Sequence, residues 1–236
     1  MPHVVKFNGL YNLPKEILSL DNDKIFDYIN NFSIWGGRNN ESVSGKGSTL
    51  KYTVVYREQL KHFIKTYPIK NIKFFDAPCG DLNWIKEFFN SVDYIGGDIS
   101  NDLVKKLNLK YPNIKLTQFD VINDKFPEAD IWHCRHCLFH LSLNDILKAL
   151  TNYTKSNIPF ALITNHFLPD SITYDIPTGN FRYLDLTNFP FYLPKPRLWL
   201  LDSVPQSTSC AMASGFWTRE QIKIGIKNFK KNFRRN

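Results

Sequence analysis

The spacing of apolar residues changes near residue 70. Before it, Ile25, Phe26, Ile29 and Phe32 recur at helical intervals and predict a helix over Asp21–Phe32. A second helix is expected over Leu50–Tyr67, turning Val54, Leu60, Phe63 and Ile64 to a core and stopped by Pro68. Between them, Trp35 to Ser48 is rich in Gly, Ser and Asn and reads as a loop. From Ile72 onward, short apolar runs alternate with amphipathic segments. Strands are expected at Ile72–Asp76, Tyr94–Asp98, Lys115–Asp120, Ala129–Cys134 and Phe160–Thr164. Helices are expected at Asn83–Asn90, Asp102–Leu109 and Leu143–Tyr153. Such alternation predicts an α/β fold with a doubly wound, mostly parallel sheet and helices on both faces.

From Asn165 to Cys210 the pattern is irregular, with Pro169, Pro177, Pro190, Pro194, Pro196 and Pro205 set among aromatics. A segment that long inside a compact domain reads as a substrate-side cover, over 165–210. Leu198–Val204 is expected as a late strand, and Thr218–Phe229 as a closing helix with Thr218 near its N-cap. No internal repeat or low-complexity linker divides the chain. The reading is one domain over 1–236, with 1–67 as an N-terminal helical lid.

Composition narrows the class. Hydrophobic residues make up 43% and charged residues 22%, which excludes wholesale disorder. Apolar runs are too short for a bilayer span, and the N-terminus lacks a positive-then-apolar signal region. Cys79, Cys134, Cys137 and Cys210 are too few and too irregular for a disulfide scaffold. A cytoplasmic protein with no membrane insertion is expected. Lys+Arg 30 against Asp+Glu 22 gives a net charge of +8. The lysines are scattered, apart from a run at Lys227–Arg235, and this speaks against nucleic acid as the partner. Arginines are scarce, so Arg38, Arg57, Arg135 and Arg182 are the more informative cations.

Three successive strands end in aspartate: Asp76, Asp98 and Asp120. In a doubly wound sheet the ligand sits outside the carboxyl ends of the strands, where an acid can bind both hydroxyls of a ribose. The first strand runs into Asp76-Ala77-Pro78-Cys79-Gly80-Asp81-Leu82-Asn83-Trp84. This arrangement resembles the class I S-adenosylmethionine-dependent methyltransferases, which implies a Rossmann-like sheet. Of that family's three loop glycines only Gly80 remains; Pro78 and Leu82 take the other positions. The Pro-Cys-Gly-Asp loop is similar to that of a bacterial methyltransferase subfamily often associated with surface polysaccharide synthesis. Ser44-Gly45-Lys46-Gly47-Ser48, Arg135-His136-Cys137-Leu138-Phe139-His140-Leu141-Ser142 and Pro190-Phe191-Tyr192-Leu193-Pro194-Lys195-Pro196 match it too. His136 stands where that subfamily has an acid.

The resemblance implies S-adenosylmethionine as cofactor. Asp98 and Ile99 are expected at the ribose, Asp120 and Val121 at the adenine edge, and Asp76, Ala77, Pro78 and Gly80 at the methionine portion. Arg57 and Arg135 complete the expected cofactor contacts, Arg57 at the methionine carboxylate. Methyl transfer to a hydroxyl requires loss of a proton, for which an imidazole is suited. His140 and His136 are the candidate bases, with His140 favoured. Arg182 and Tyr192 are candidate substrate contacts. A zinc reading of Cys134, Cys137 and their neighbouring histidines lacks a second ligand pair, so no metal is expected. Cys79 lies in the wrong loop for the nucleophile of cytosine-C5 methyltransferases, and no Asn/Asp-Pro-Pro-Tyr motif for amino methylation follows strand four. The function expected is O-methylation of a small polar acceptor, a sugar hydroxyl or a phosphate-linked group. An RNA methyltransferase and a noncatalytic nucleoside-binding module are the alternatives.

Overall fold

The structure, a computed structural model, describes residues 4–6, 13–36, 41–167, 173–203 and 211–233. Arg38, Val204, Cys210 and the end of the basic run lie outside the described residues. A seven-stranded sheet has the order β4-β3-β2-β5-β6-β9-β8. It comprises β2 (Lys73–Asp76), β3 (Asp93–Asp98), β4 (Lys115–Gln118), β5 (Ile131–Cys134), β6 (Phe160–His166), β8 (Leu198–Ser203) and β9 (Met212–Thr218). The first five are mutually parallel; β9 runs antiparallel to both β6 and β8. A separate parallel pair joins β1 (Val4–Lys6) to β7 (Thr173–Asp175).

Alternation along each central strand builds two cores. Phe75, Trp132, Ile163 and Trp217 face one side, where α5 (Leu143–Thr154) supplies Ile146 and Leu150 and α6 (Arg219–Phe233) supplies Ile222 and Phe229. Phe74, Ile131, Leu162 and Phe216 face the other. There α3 (Leu50–Thr66) supplies Tyr56, Leu60 and Phe63, and α4 (Asn101–Lys110) supplies Leu103 and Leu107. Strands buried on both faces with helices on each side are the geometry of a doubly wound sheet. Burying a single side chain such as Leu162 contributes about 1.5–3 kcal/mol.

The N-terminal helices α1 (Lys15–Leu18) and α2 (Asn22–Asn31) form a small third cluster around Leu13, Ile25 and Ile29. Asp27 on α2 accepts from Ser100 Oγ at 2.6 Å, and that same oxygen caps α4 by accepting from Leu103 N. This linkage holds the N-terminal cluster over the end of β3.

Several elements differ from the sequence expectation. Asn83–Asn90 forms only a 3-10 turn, Ile85–Phe88. In α3, Thr53, Tyr56, Leu60 and Phe63 are the buried set, whereas Val54 is 49% exposed. Strand β9 has no counterpart in the sequence reading. Thr218 does cap α6: its Oγ1 accepts from Gln221 N, and Gln221 Oε1 accepts from Thr218 N, a reciprocal capping box.

Candidate active site at the carboxyl ends of the parallel strands

The strand order reverses between β2 and β5, and a cleft partly open to solvent lies at that point. Asp76, Pro78, Gly80, Asp98, Ile99, Asp120, Val121, Arg135, His136 and His140 line it. Ala77 sits beneath it: its side chain is fully buried, and its carbonyl accepts from Trp132 Nε1.

Each carboxylate has a different setting. Asp98 Oδ2 accepts from Gly80 N and Oδ1 from Ser100 N, both at 3.0 Å. Burial pushes its pKa up to about 6, against the pull of those two N–H groups. Asp76 is internally committed. Its Oδ2 accepts from Tyr94 Oη and its Oδ1 from His133 Nδ1, while Tyr56 Oη donates to His133 Nε2. The four groups form one directed chain under the cleft floor, from Tyr56 through His133 to Asp76 and from Tyr94 to Asp76. Asp120 lies two residues past the end of β4, in a turn where its oxygens accept from Ile122 N and Asn123 Nδ2.

Gly80 has φ +55, and a Cβ there would stand 2.5 Å from Ser44 Oγ. That hydroxyl accepts from Asp81 N, and Asp81 Oδ2 accepts from Val43 N. The Ser44–Ser48 segment is thereby folded onto the loop after β2.

Beyond β5 the cleft becomes aromatic. Trp35 stacks on His140 with centroids 4.1 Å apart, and Trp84 lies under the Arg135 guanidinium. His140 Nδ1 donates to the Asn180 carbonyl at 2.9 Å, which fixes Nε2 as its acceptor nitrogen. Burial pushes this imidazole down to about 3. Arg135 grips Asp202 through Nε and Nη2 at 2.9 and 2.6 Å and donates to the Gly47 carbonyl. Burial alone would raise Asp202, but Arg135 and His136 outweigh it and hold the carboxyl well below the usual range.

Three expected site residues stand elsewhere. Arg57 pairs with Glu87 at 2.6 Å on the surface and donates to the Leu50 carbonyl, so its charge is directed away from the cleft. Arg182 is buried. It donates to the Leu141 carbonyl through Nη1 and to the Phe139 carbonyl through its backbone N, bracing the 3-10 turn Leu138–His140. Tyr192 projects beside α6, where its carbonyl accepts from Asn228 Nδ2. No described residue of 165–203 lines the cleft; much of this stretch packs in the core, as Phe191 does against Phe229. It reaches residues of the cleft from behind, through the Asn180 carbonyl on His140, Arg182 on the Leu141 carbonyl and Asp202 on Arg135 and His136. Sequence reasoning missed Trp35, His133 and Asp202. Trp35 carries the one visible signal, an aromatic at the mouth of a glycine-rich loop.

No protein-family model matches the sequence, and no curated protein matches it. Solved structures do. Magnesium protoporphyrin IX methyltransferase from Synechocystis PCC 6803, with bound SAM, superposes with a TM-score of 0.58 at 14% identity, over 84% of this chain and 98% of that one. A SAM-dependent methyltransferase from Leishmania major gives 0.60 at 11%, over 86% and 88%. Phosphoethanolamine N-methyltransferase 1 of Haemonchus contortus, bound to phosphoethanolamine and S-adenosylhomocysteine, gives 0.56 at 12%, over 94% and 55%. The chain shares their fold. At such identities the methyltransferase fold is what the comparison establishes, and the chemistry must come from this cleft. Among the described residues no helix is long and apolar enough to cross a membrane.

Proposed function

We propose that this chain is an S-adenosylmethionine-dependent O-methyltransferase acting on a small polar acceptor. The observation that carries the reading is Asp98, a buried carboxylate at the end of β3 that lines the cleft and whose two oxygens each accept one backbone N–H. A carboxylate has about four acceptor positions, so two remain for a ribose diol. Gly80 supports the fit, since its bare Cα keeps the loop close to Ser44 and the cleft floor open. Asp120, Val121 and Ile99 would border the adenine, and the Asp76–Gly80 loop the methionine portion. Bound there, S-adenosylmethionine supplies a methyl group on a sulfonium. The protein's part is to orient the acceptor, exclude water and take a proton.

The charge of the cleft bears on the acceptor. Its described lining holds Asp76, Asp98 and Asp120 but only one arginine, Arg135, which is already paired with Asp202. This balance favours a neutral hydroxyl at the transfer point, and the Trp35 ring offers a face for stacking. We therefore favour a sugar hydroxyl over a phosphate oxygen. The surface-polysaccharide setting is supported by the matched loop segments. Calorimetry with S-adenosylhomocysteine tests the cofactor site: micromolar binding is expected, and no binding by folded protein overturns the reading. A nucleotide-sugar panel with methyl-labelled cofactor then tests the acceptor.

A further inference from the structure

Three histidines line the cleft, and their hydrogen bonds distinguish them. His133 has both ring nitrogens engaged, by Asp76 and Tyr56. His140 keeps Nε2 as an acceptor, but only a neutral carbonyl backs its other nitrogen. Among the described residues only His136 combines a carboxylate on one ring nitrogen with no hydrogen bond on the other: Nε2 lies 3.1 Å from Asp202 Oδ2. A carboxylate can only accept, so Nε2 carries the hydrogen and Nδ1 is the basic nitrogen. The His136 side chain is 17% exposed, against 1% for Asp202. Its backbone N donates to Thr164 Oγ1, and its φ of +54 turns the ring back toward the Ser44–Ser48 segment. A Cβ on Gly47 would stand 2.7 Å from Nδ1, so any larger residue there would cover that nitrogen.

We infer that His136 and Asp202 form the proton-accepting pair of the cleft, with Asp202 as the positioning residue that presents His136 Nδ1 as the base. This rests on the methyltransferase reading above and deepens it. The acceptor O–H bond breaks and its proton passes to Nδ1. The oxygen keeps the electron pair for its new bond to the methyl carbon, and the pair of the broken C–S bond stays on sulfur. The imidazolium formed is held through Nε2–H by Asp202, the arrangement that makes a histidine–aspartate pair effective in hydrolases.

The groups facing His136 from each neighbouring element are few. Burial and Arg135, at the end of β5, depress its proton affinity, with a smaller contribution from His133; Asp202, on β8, raises it. His140 from the following turn and His166 from β6 lie near enough to interact with it as well. Without Asp202 nothing on this side would oppose the first two effects.

The test uses the full chain with nitrogen-15-labelled histidine, free of ligand, followed by NMR across pH 4 to 8. His136→Asn assigns the signal and suits the positive φ. His136 is expected in the Nε2–H form at neutral pH and to protonate at a higher pH than His140. Asp202→Asn should lower that protonation by about one unit or more and leave His140 in place. An Nδ1–H form, or His140 protonating first, overturns the inference. Because Asp202 also holds Arg135, binding of S-adenosylhomocysteine within about threefold of wild type certifies that the variant's cleft is intact. In the nucleotide-sugar panel, His136→Asn should lose about 10²–10⁴-fold in kcat, as expected for a general base. Asp202→Asn should lower kcat with KM unchanged and move the acidic limb of the pH profile. A larger loss in His140→Asn than in His136→Asn again overturns it. No transfer by wild type to any panel member sinks the sugar acceptor instead, and the NMR result still decides the pair.

Discussion

Gly80 donates its backbone N–H to Asp98 at 3.0 Å, joining the loop after β2 to the end of β3 across a separation of eighteen residues. The contact orients one carboxylate oxygen before any ligand arrives. It also adds a favourable interaction to a charge that burial disfavours. Asp98→Ala is expected to weaken S-adenosylhomocysteine binding by about 10–100-fold, the loss of charged hydrogen bonds worth ~1.5–3 kcal/mol. Calorimetry at pH 7.5 measures it, and a change under threefold would contradict the assigned role.

The same carboxyl gives a pH dependence. With its pKa at about 6, it is protonated below that value and then has fewer acceptor positions for a diol. Affinity should therefore rise as pH increases through 6 and level off above 7. Asp98→Ala should remove that slope. A flat wild-type profile between pH 5 and 7.5 would show that Asp98 ionises well below this window.

Gly80→Ala should destabilise the fold by about 1–2 kcal/mol and weaken cofactor binding, because φ is +55 and the new methyl would meet Ser44 Oγ. Adding Ser44→Ala should recover part of the loss by removing the contact, but not the part due to the backbone. Chemical denaturation of the single and double variants separates the two; full recovery would mean that the backbone conformation costs nothing.

Tyr56→Phe deletes the hydroxyl that donates to His133 Nε2 in a fully buried position. The orphaned nitrogen should cost about 1–3 kcal/mol of stability. The neighbouring cofactor loop should loosen with it, which hydrogen exchange at Ala77 N and Cys79 N would report. These amides donate to the His133 and Gly97 carbonyls.

Arg57→Ala should change S-adenosylhomocysteine affinity by less than twofold and stability by no more than ~1 kcal/mol, since its ion pair with Glu87 is partly exposed. A tenfold loss of affinity would return Arg57 to the methionine carboxylate.

Much of the sheet was legible because β2, β5 and β6 are rich in large apolar side chains, and because Asp76 and Asp98 close β2 and β3. Strand β9 was not. Met212-Ala213-Ser214-Gly215 carries little strand preference by itself, and its extended form comes from pairing with β6 and β8 on either side. Helix Asn83–Asn90 failed for the opposite reason. Its apolar spacing was real, but Asp81 accepts from both Val43 N and Asn83 N and ties the segment's start to the Ser44 loop. In the site, the strand-end acids were visible because each is local to its strand. Asp202 was invisible because its meaning lies in Arg135 and His136, more than sixty positions away. Arg182 misled for a related reason: a rare arginine in an irregular segment looks like a ligand contact, whereas its Nη1 and its backbone N donate to carbonyls of a neighbouring turn.

The place of Asp202 on β8 has a consequence for how such a protein could diversify. Strand β8 is an edge strand of the sheet and, among the described residues, pairs only with β9. The groups proposed to face a nucleoside lie between residues 76 and 122, whereas the carboxylate behind His136 arrives with a hairpin-like pair of strands late in the chain. Replacing that pair by another of equal length would leave the parallel strands and their acids intact while removing the support of the base. On the proposed reading, the groups for the methyl donor and the support of the base are thus carried on separable pieces of the chain, and the second can drift without loss of the first.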